Sequence, residues 1–363
     1  VSGTPQAYIT FKALGKGVIL SGADPRYEET SEARAWQAEG NGAVYCTDPG
    51  YTTSYVAAGG ERLFHYLSRE EFDQFICGAP GGWYQEKESR RLFLRLTSGR
   101  DPNSLPVQVA RCDEGFHLKN ASYIAIEGME IRDFGRETPG AGVHLEKSAW
   151  NVIRDCSIHG MNAGVLLTAP ESEGNLVENC ELWDSSIPAW PWWMTKGRDE
   201  EGAGVVSYTG GRGNVVRSCR FHTLFDGLSP ANFEGSSSES YNCDWDVYDN
   251  EISDTRDDVI EPEGPCINFR FWNNRCRDMF SGVSLAPINT GPAYVMYNVL
   301  YGHMYLGLKY NGIGEGICNI FHNTVYTSVS GIDAIRSADR ITGQHFRNNI
   351  FFGDGLALNA IEG

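Results

Sequence analysis

The residues of this chain that could do chemistry crowd into one stretch. Asp257-Asp258-Val259-Ile260-Glu261-Pro262-Glu263-Gly264 puts four carboxyls within seven residues, and Asp226-Gly227 stands upstream of it. Two carboxyls held close together drive their proton affinities apart, so that one serves as acid and the other as base. A separation of about 5–5.5 Å between them is that of a retaining glycosidase. Asp226, Asp257, Asp258 and Glu261 are therefore candidate catalytic groups. The same oxygens suit a hard cation, which makes Ca2+ a candidate cofactor at Asp257, Asp258 and Glu263. Lys309 is a candidate to neutralise one carboxylate or to act as a base, and His144 and His303 are candidate acids, bases or substrate contacts. Trp190, Trp192 and Trp193 offer the flat apolar faces that stack on sugar rings. Each has a plainer reading beside it. Asp before Gly is an ordinary turn pair, as at Asp354-Gly355, a single histidine is commonly structural, and a tryptophan-rich loop can simply pack down.

The elements that must position these groups repeat. A turn residue, usually Gly, precedes a short apolar strand at Gly227, Asp258, Gly282, Gly307, Gly331 and Gly355, the last five spaced by 24, 25, 24 and 24 residues. A second marker, Asn250, Asn274, Asn298, Asn323 and Asn349, keeps spacings of 24, 24, 25 and 26. Two independent markers with one period predict a solenoid of parallel strands. Strands stacked about 4.8 Å apart set like residues over like, so an inward Asn can bond the amides above and below it. Upstream the same column reads Cys156, Cys180 and Cys219, which fill the volume with less polar demand and are near enough in neighbouring rungs that a disulfide is open to them. The other seven cysteines have no zinc spacing.

Alternation along each strand then predicts two faces. Val259 is expected inward with Leu228, Val283 and Leu308, and His144, Leu166, Val206, Ser229, Ile260, Ser284, Lys309 and Asp333 outward. Glu261 falls at an inward place otherwise filled by Leu145, Leu167 and Leu285, where a carboxylate needs a partner or water. Asp226 and Asp257 are expected one strand apart, and Lys309 two strands and roughly 10 Å from Asp258.

Residues 1–22 read as a first rung, 23–105 as an inserted β-rich subdomain, and 106–363 as the solenoid. The insertion holds a helix from Ser68, with Glu71 at the capping-box position, and a hairpin from Gly82-Trp83-Tyr84-Gln85 to Leu92–Leu96. Two rungs carry long loops, Trp183–Ala203 and the Ser- and Gly-rich Ala231–Trp245 with Asn232-Phe233-Glu234-Gly235-Ser236-Ser237-Ser238. A net charge of −17 argues against nucleic acid, and no apolar run is long enough for a membrane helix. The opening on a turn and strand, and the close on a rung, suggest a mature or partial chain.

The rung phrase, the period and the Asn column resemble the right-handed parallel β-helix proteins, the fold of pectate lyases and their relatives, over residues 107–363 and weakly over 5–22. The resemblance implies an all-β, right-handed, single-stranded parallel β-helix, a secreted or cell-envelope location and a polysaccharide partner. Members include glycoside hydrolases, polysaccharide lyases, uronan epimerases, tailspikes and adhesins. The Asp257-Asp258 pair is shared with polygalacturonases, but their Asn-Thr-Asp and Gly-His-Gly phrases and the Asp-Pro-His-Glu of alginate epimerases are absent. Two functions follow. One is a carbohydrate-active enzyme, hydrolase or lyase, with the acidic balance favouring hydrolysis of a neutral glycan. The other is a non-catalytic adhesin, tailspike-like or self-assembling surface protein. The protein would be a monomer or an end-to-end or lateral homo-oligomer.

Overall fold

The computed structural model describes residues 1–28, 35–40, 42–137, 140–231, 242–310, 314–337 and 341–360. The Ser- and Gly-rich segment from Asn232 to Ser238 lies outside them. Three parallel sheets of ten strands each are described, and each complete rung gives one strand to each sheet. The first rung is formed by Ile9–Lys12, which pairs with Ile124–Glu127, and Ile19–Ser21, which pairs with Glu130–Arg132.

The corner between two of the sheets explains the Asn column. The residue just before each column position, Asp155, Asn179, Ser218, Asp249, Asn273, Tyr297, His322 and Asn348, has a φ between 53° and 58°. This left-handed step is most easily taken by Asn and Asp. The next residue then points inward. Asn274 Oδ1 accepts from the backbone and side-chain amides of Asn250, both at 3.0 Å, while Asn274 Nδ2 donates to Val247 O and Asn298 Oδ1, both at 3.0 Å. The ladder continues to Asn349, and upstream Asn250 Oδ1 accepts from Cys219 N. The cysteines in the column are buried, and all ten cysteines are unpaired thiols. A second ladder, Asn151–Asn175–Asn214, stands at another corner and has no counterpart in the repeat phrase. A continuous core of Val, Ile, Leu, Phe and Cys fills the interior.

The insertion folds as a five-stranded sheet and a three-stranded sheet. Val107–Val109 pairs antiparallel with Val56–Ala58, so the solenoid sheets resume at Glu114. The helix spans Arg69–Gln74; Ser68 accepts from Glu71 N, and Phe75 closes it in the left-handed conformation. Gly81–Gln85 and Leu92–Leu96 form the hairpin. The insertion packs on the Trp183–Ala203 loop. Trp190 is fully buried among Phe64, Tyr66, Phe72 and Phe93, and Arg198 makes a two-pronged pair with Glu71 at 2.9 and 3.0 Å. A buried Arg62–Asp184 pair at 2.8 Å ties the insertion to the start of that loop, and Arg62 also donates to Asn162 Oδ1 at 2.9 Å just before a solenoid strand.

Two markers of the period shift in the structure. Leu308 pairs with Ile335, so buried Ala334, not Gly331, stands beside Gly307, and Gly331 and Gly355 belong to turns. Arg336 rather than Asp333 is therefore the outward neighbour of Lys309.

Candidate functional site

One sheet carries the chemistry. Its strands include Glu114–Lys119, Ala141–Glu146, Ala163–Thr168, Ala203–Tyr208, Asp226–Ser229, Asp258–Ile260, Ser281–Ser284 and Leu306–Tyr310. The strand pairings define an outward column of His117, His144, Leu166, Val206 and Ser229 that continues through Ser284 and Lys309.

At the Asp257 rung the period breaks, and the reason is a bulge. Asp257 N donates to Phe225 O and Glu261 N to Leu228 O, so four steps on one strand match three on its neighbour. On the other side Phe280 N and Ser281 N, consecutive donors, reach Thr255 O and Asp257 O and skip a carbonyl. Two aspartates thus stand where each neighbouring strand has one residue. A regular strand turns consecutive side chains to opposite faces, whereas a bulge re-aims them. One oxygen from each of Asp226, Asp257, Asp258 and Glu261 lies within 4.8 Å of the others.

The bulge corrects two sequence expectations. Val259, not Asp258, lies against Gly227, and Ile260 takes the inward place opposite Leu228. Glu261 consequently stands on the outward column opposite Ser229, whose Oγ donates to its Oε2 at 3.2 Å. The expected inward carboxylate does not exist, and Ile260 is a core residue.

Two lysines hold the cluster. Lys309 Nζ bonds Asp258 Oδ2, its side chain closing the expected 10 Å gap. Lys196, from the tryptophan loop, bonds Asp257 at 3.1 Å and Glu201 at 2.6 Å. No sequence argument named Lys196; its only mark is a lone lysine between the tryptophans and the Asp199-Glu200-Glu201 acids. Asp226 Oδ1 accepts from Asp258 N at 2.9 Å, which satisfies an amide inside the bulge. Glu263 Oε1 accepts from Ser284 Oγ.

Burial first, and then the neighbouring Glu261, Asp257 and Asp258, push the Asp226 carboxyl well above the ordinary range. Burial also raises Asp258, against the pull of the Lys309 ammonium. Only Asp258 of the two has an ammonium in contact, so Asp226 is the better holder of a proton. Glu263 is pushed up to about 7 by burial and by Glu261. Burial opposes the charge on Lys309 and Lys196, but the carboxylates around each outweigh it and raise both. Asp258 Oδ1 is buried with no hydrogen-bond partner.

Above these groups lies a cleft of about 460 Å3, lined by Asp226, Ser229, Glu261, Glu263, Lys196, Lys309 and Tyr208 among others. Asp257 and Asp258 sit behind its wall. A separate hollow of about 310 Å3 on another sheet, between Arg220, Glu251, Arg275, Arg277, Val299 and Tyr301, shares none of these groups.

The remaining candidates are placed elsewhere. Trp190 is buried, its Nε1 donating to Ala79 O, and has no face to offer a sugar. Trp192 is half-buried on Phe280, and Trp193 is 64% exposed. His303 is buried beneath the sheet, its Nε2 against Asp333 O, and burial lowers it to about 4. It is a neutral structural ring rather than a site residue. His144 stands three strands from Asp226 in another cluster.

The family described as right handed beta helix region matches residues 107–245. No curated protein matches the chain. Among solved structures, a complex of XylC with xylose is similar at 12% identity and a TM-score of 0.49, over 99% of this chain and 61% of that one. A family 28 exopolygalacturonase of Yersinia enterocolitica is similar at 12% identity and a TM-score of 0.42, over 77% of this chain and 57% of that one. The chain thus spans less than two thirds of the length of either. With three ten-stranded parallel sheets stacked rung on rung among the described residues, and this family match over residues 107–245, the chain folds as a right-handed parallel β-helix.

Proposed function

We propose that the protein hydrolyses glycosidic bonds of a polysaccharide bound in the cleft over the acidic strip. The observation that carries this reading is the convergence of a buried, proton-holding Asp226 with Glu261 on the wall of an open cleft. Asp226 is the general acid that protonates the leaving oxygen. Glu261 is the opposing carboxylate, oriented by Ser229. Asp257 and Asp258, each tied to a lysine, raise the proton affinity of Asp226 from behind. A separation under 5 Å between these oxygens is nearest the spacing of retaining enzymes, so the product is expected to keep its anomeric configuration. Similarity to proteins described with xylose and as an exopolygalacturonase is compatible with a glycan substrate. On this reading we infer a secreted or cell-envelope location, where a polysaccharide substrate would be met.

Calcium is the second reading, favoured by four carboxylates whose oxygens approach within 4.8 Å. A cation there would compete with Lys196 and Lys309 for Asp257 and Asp258. The test is a glycan-panel assay on wild type, Asp226→Asn and Glu261→Gln, each with and without a chelator. Loss of about 100-fold or more in both variants, with no chelator effect, is expected for paired acid–base chemistry. Turnover unchanged in Asp226→Asn would remove the hydrolase reading. Glycan binding without turnover in wild type would favour the adhesin-like alternative.

A further inference from the structure

A second cluster on the same face is not used by the glycan chemistry. His117 lies opposite His144 in parallel register, and their rings stack with centroids 4.6 Å apart and planes 5° from parallel. Glu114 bridges them. Its Oε2 is 2.9 Å from His117 Nδ1 and its Oε1 is 2.5 Å from His144 Nδ1. On the far side of each ring, His117 Nε2 is 2.9 Å from Glu146 Oε2 and His144 Nε2 is 2.8 Å from Thr168 Oγ1. Glu146 is itself held by Lys119 at 2.7 Å.

The donors and acceptors around His117 do not balance for a neutral ring. A neutral imidazole has one N–H and one lone pair, and an ionised carboxylate only accepts. His117 has a carboxylate oxygen at each nitrogen, so a neutral ring must aim its lone pair at one of them. A cation between the two Nδ1 atoms and Glu114 removes the clash. Both Nδ1 lone pairs and a carboxylate oxygen become ligands, while each Nε2–H keeps its outer partner. An outer oxygen on the second ring nitrogen is the usual support of a metal-bound histidine. Two histidines and one glutamate are the donors of an open zinc site, which keeps a position for water. The three donor atoms already lie within 4.8 Å of one another. Tetrahedral zinc with bonds of about 2.1 Å needs them roughly 3.4 Å apart, a change within the reach of side-chain rotation. The His117 side chain is 38% exposed, which leaves an ion a path from solvent.

We propose that Glu114, His117 and His144 form a divalent-metal site, of zinc type, at the N-terminal end of the strip. Its nearest member, His144, stands three strands, roughly 14 Å, from Asp226, with Ala163, Leu166, Ala203 and Val206 as the apolar gap between. The proposal does not depend on the glycan reading. Its test is calorimetric titration of the full chain with ZnCl2 at neutral pH, together with the visible spectrum of the Co2+-loaded protein. Expected are one ion per chain and a tetrahedral Co2+ spectrum without sulfur charge-transfer bands. Both should vanish in His117→Gln and His144→Gln and persist in Asp226→Asn and in Cys112→Ser, which removes the exposed thiol. Glu146→Gln, which touches only the outer partner, should weaken binding about 10–100-fold without abolishing it. Circular dichroism and the melting temperature of the metal-free variants establish that they are folded. No saturable binding in wild type, thiolate bands on cobalt, or unchanged binding in both folded histidine variants would each overturn the assignment.

Discussion

Replacing Glu263 by Gln should make the protein more stable at neutral pH, and by an amount the structure sets. The side chain is buried, with Ser284 donating to it and no lysine in contact among the described residues. Its proton affinity rises from the ordinary 4.5 to about 7, chiefly through burial and then through Glu261. The native state therefore holds a proton that the unfolded chain has already released over that interval. The sign follows directly: stability falls as pH rises wherever the native state binds more protons. The fall starts near pH 4.5, ends near pH 7, and amounts to about 3 kcal/mol for two and a half decades at about 1.36 kcal/mol each. Gln fills the same volume, can still accept from Ser284, and has no proton to lose. Urea unfolding of wild type and Glu263→Gln at pH 5, 6, 7 and 8 provides the measurement. The stability difference in favour of the variant should grow by about 2.5 kcal/mol from pH 5 to pH 8, the rest of the fall lying below pH 5, with equal dependence on urea. Asp133, also pushed up to about 7 by burial, gives both proteins the same slope and cancels in the difference. A difference that stays flat would refute the reasoning. So would one that shrinks with pH, which would mean that the lysines hold Glu263 as a stabilised anion.

Asn274→Ala strands the backbone and side-chain amides of Asn250 and the Val247 carbonyl inside the ladder and should cost about 3–5 kcal/mol in urea unfolding, at about 1–3 kcal/mol per unsatisfied group. Trp190→Ala should cost about 3–5 kcal/mol because it empties a packed contact between loop and insertion. Trp193→Ala should change stability by less than about 0.5 kcal/mol, and a rise in glycan KM with kcat kept would mark Trp193 as the sugar-stacking member of the loop. Lys196→Met removes a charge that lowers the Asp226 carboxyl, so Asp226 should keep its proton to higher pH. The basic limb of the kcat/KM profile should then move to higher pH, and a downward move would exclude Asp226 as the acid.

The solenoid was legible because its markers obey backbone geometry. Asn250, Asn274, Asn298 and Asn323 recur because a left-handed corner and an inward amide are needed at the same point of each rung. Glycine proved a weaker marker. Gly227, Gly282 and Gly307 sit where a Cβ would strike backbone of the next rung, whereas Gly331 answers only to its own turn, and a glycine at either place looks the same in sequence. The fate of Trp190 against that of Trp193 was not legible either. Both lie in one loop, and only the insertion, far away in sequence, decides which is covered. Lys196 was hidden for the same reason, since its distance from Asp257 depends on how Arg198 and Glu71 anchor the loop.

The bulge accounts for both the misread register and the site itself. A residue-by-residue period assumes two faces that strictly alternate, and on that assumption Asp257 and Asp258 diverge while Glu261 is driven into the core. Insertion of one residue cancels both consequences at once. It gathers consecutive acids on one side and shifts every later residue of the strand by one place, which brings Glu261 out and sends Ile260 in. An apolar residue at 260 and a polar one at 261 are what the bulged register needs, and the opposite of what the unbulged one needs. The inward carboxylate that the simple register demands, with no partner to offset its burial, was thus the mark in the sequence that the register was wrong. A bulge disrupts pairing between neighbouring strands, and here the loss is offset locally, because Asp226 accepts from Asp258 N and Lys309 bonds the Asp258 carboxyl. The side chains that repair the backbone are the same ones that crowd the acids together. Burial first, and then the acids that the bulge gathers beside it, raise the Asp226 carboxyl, so the crowding of the acids and the altered strand have a single structural cause.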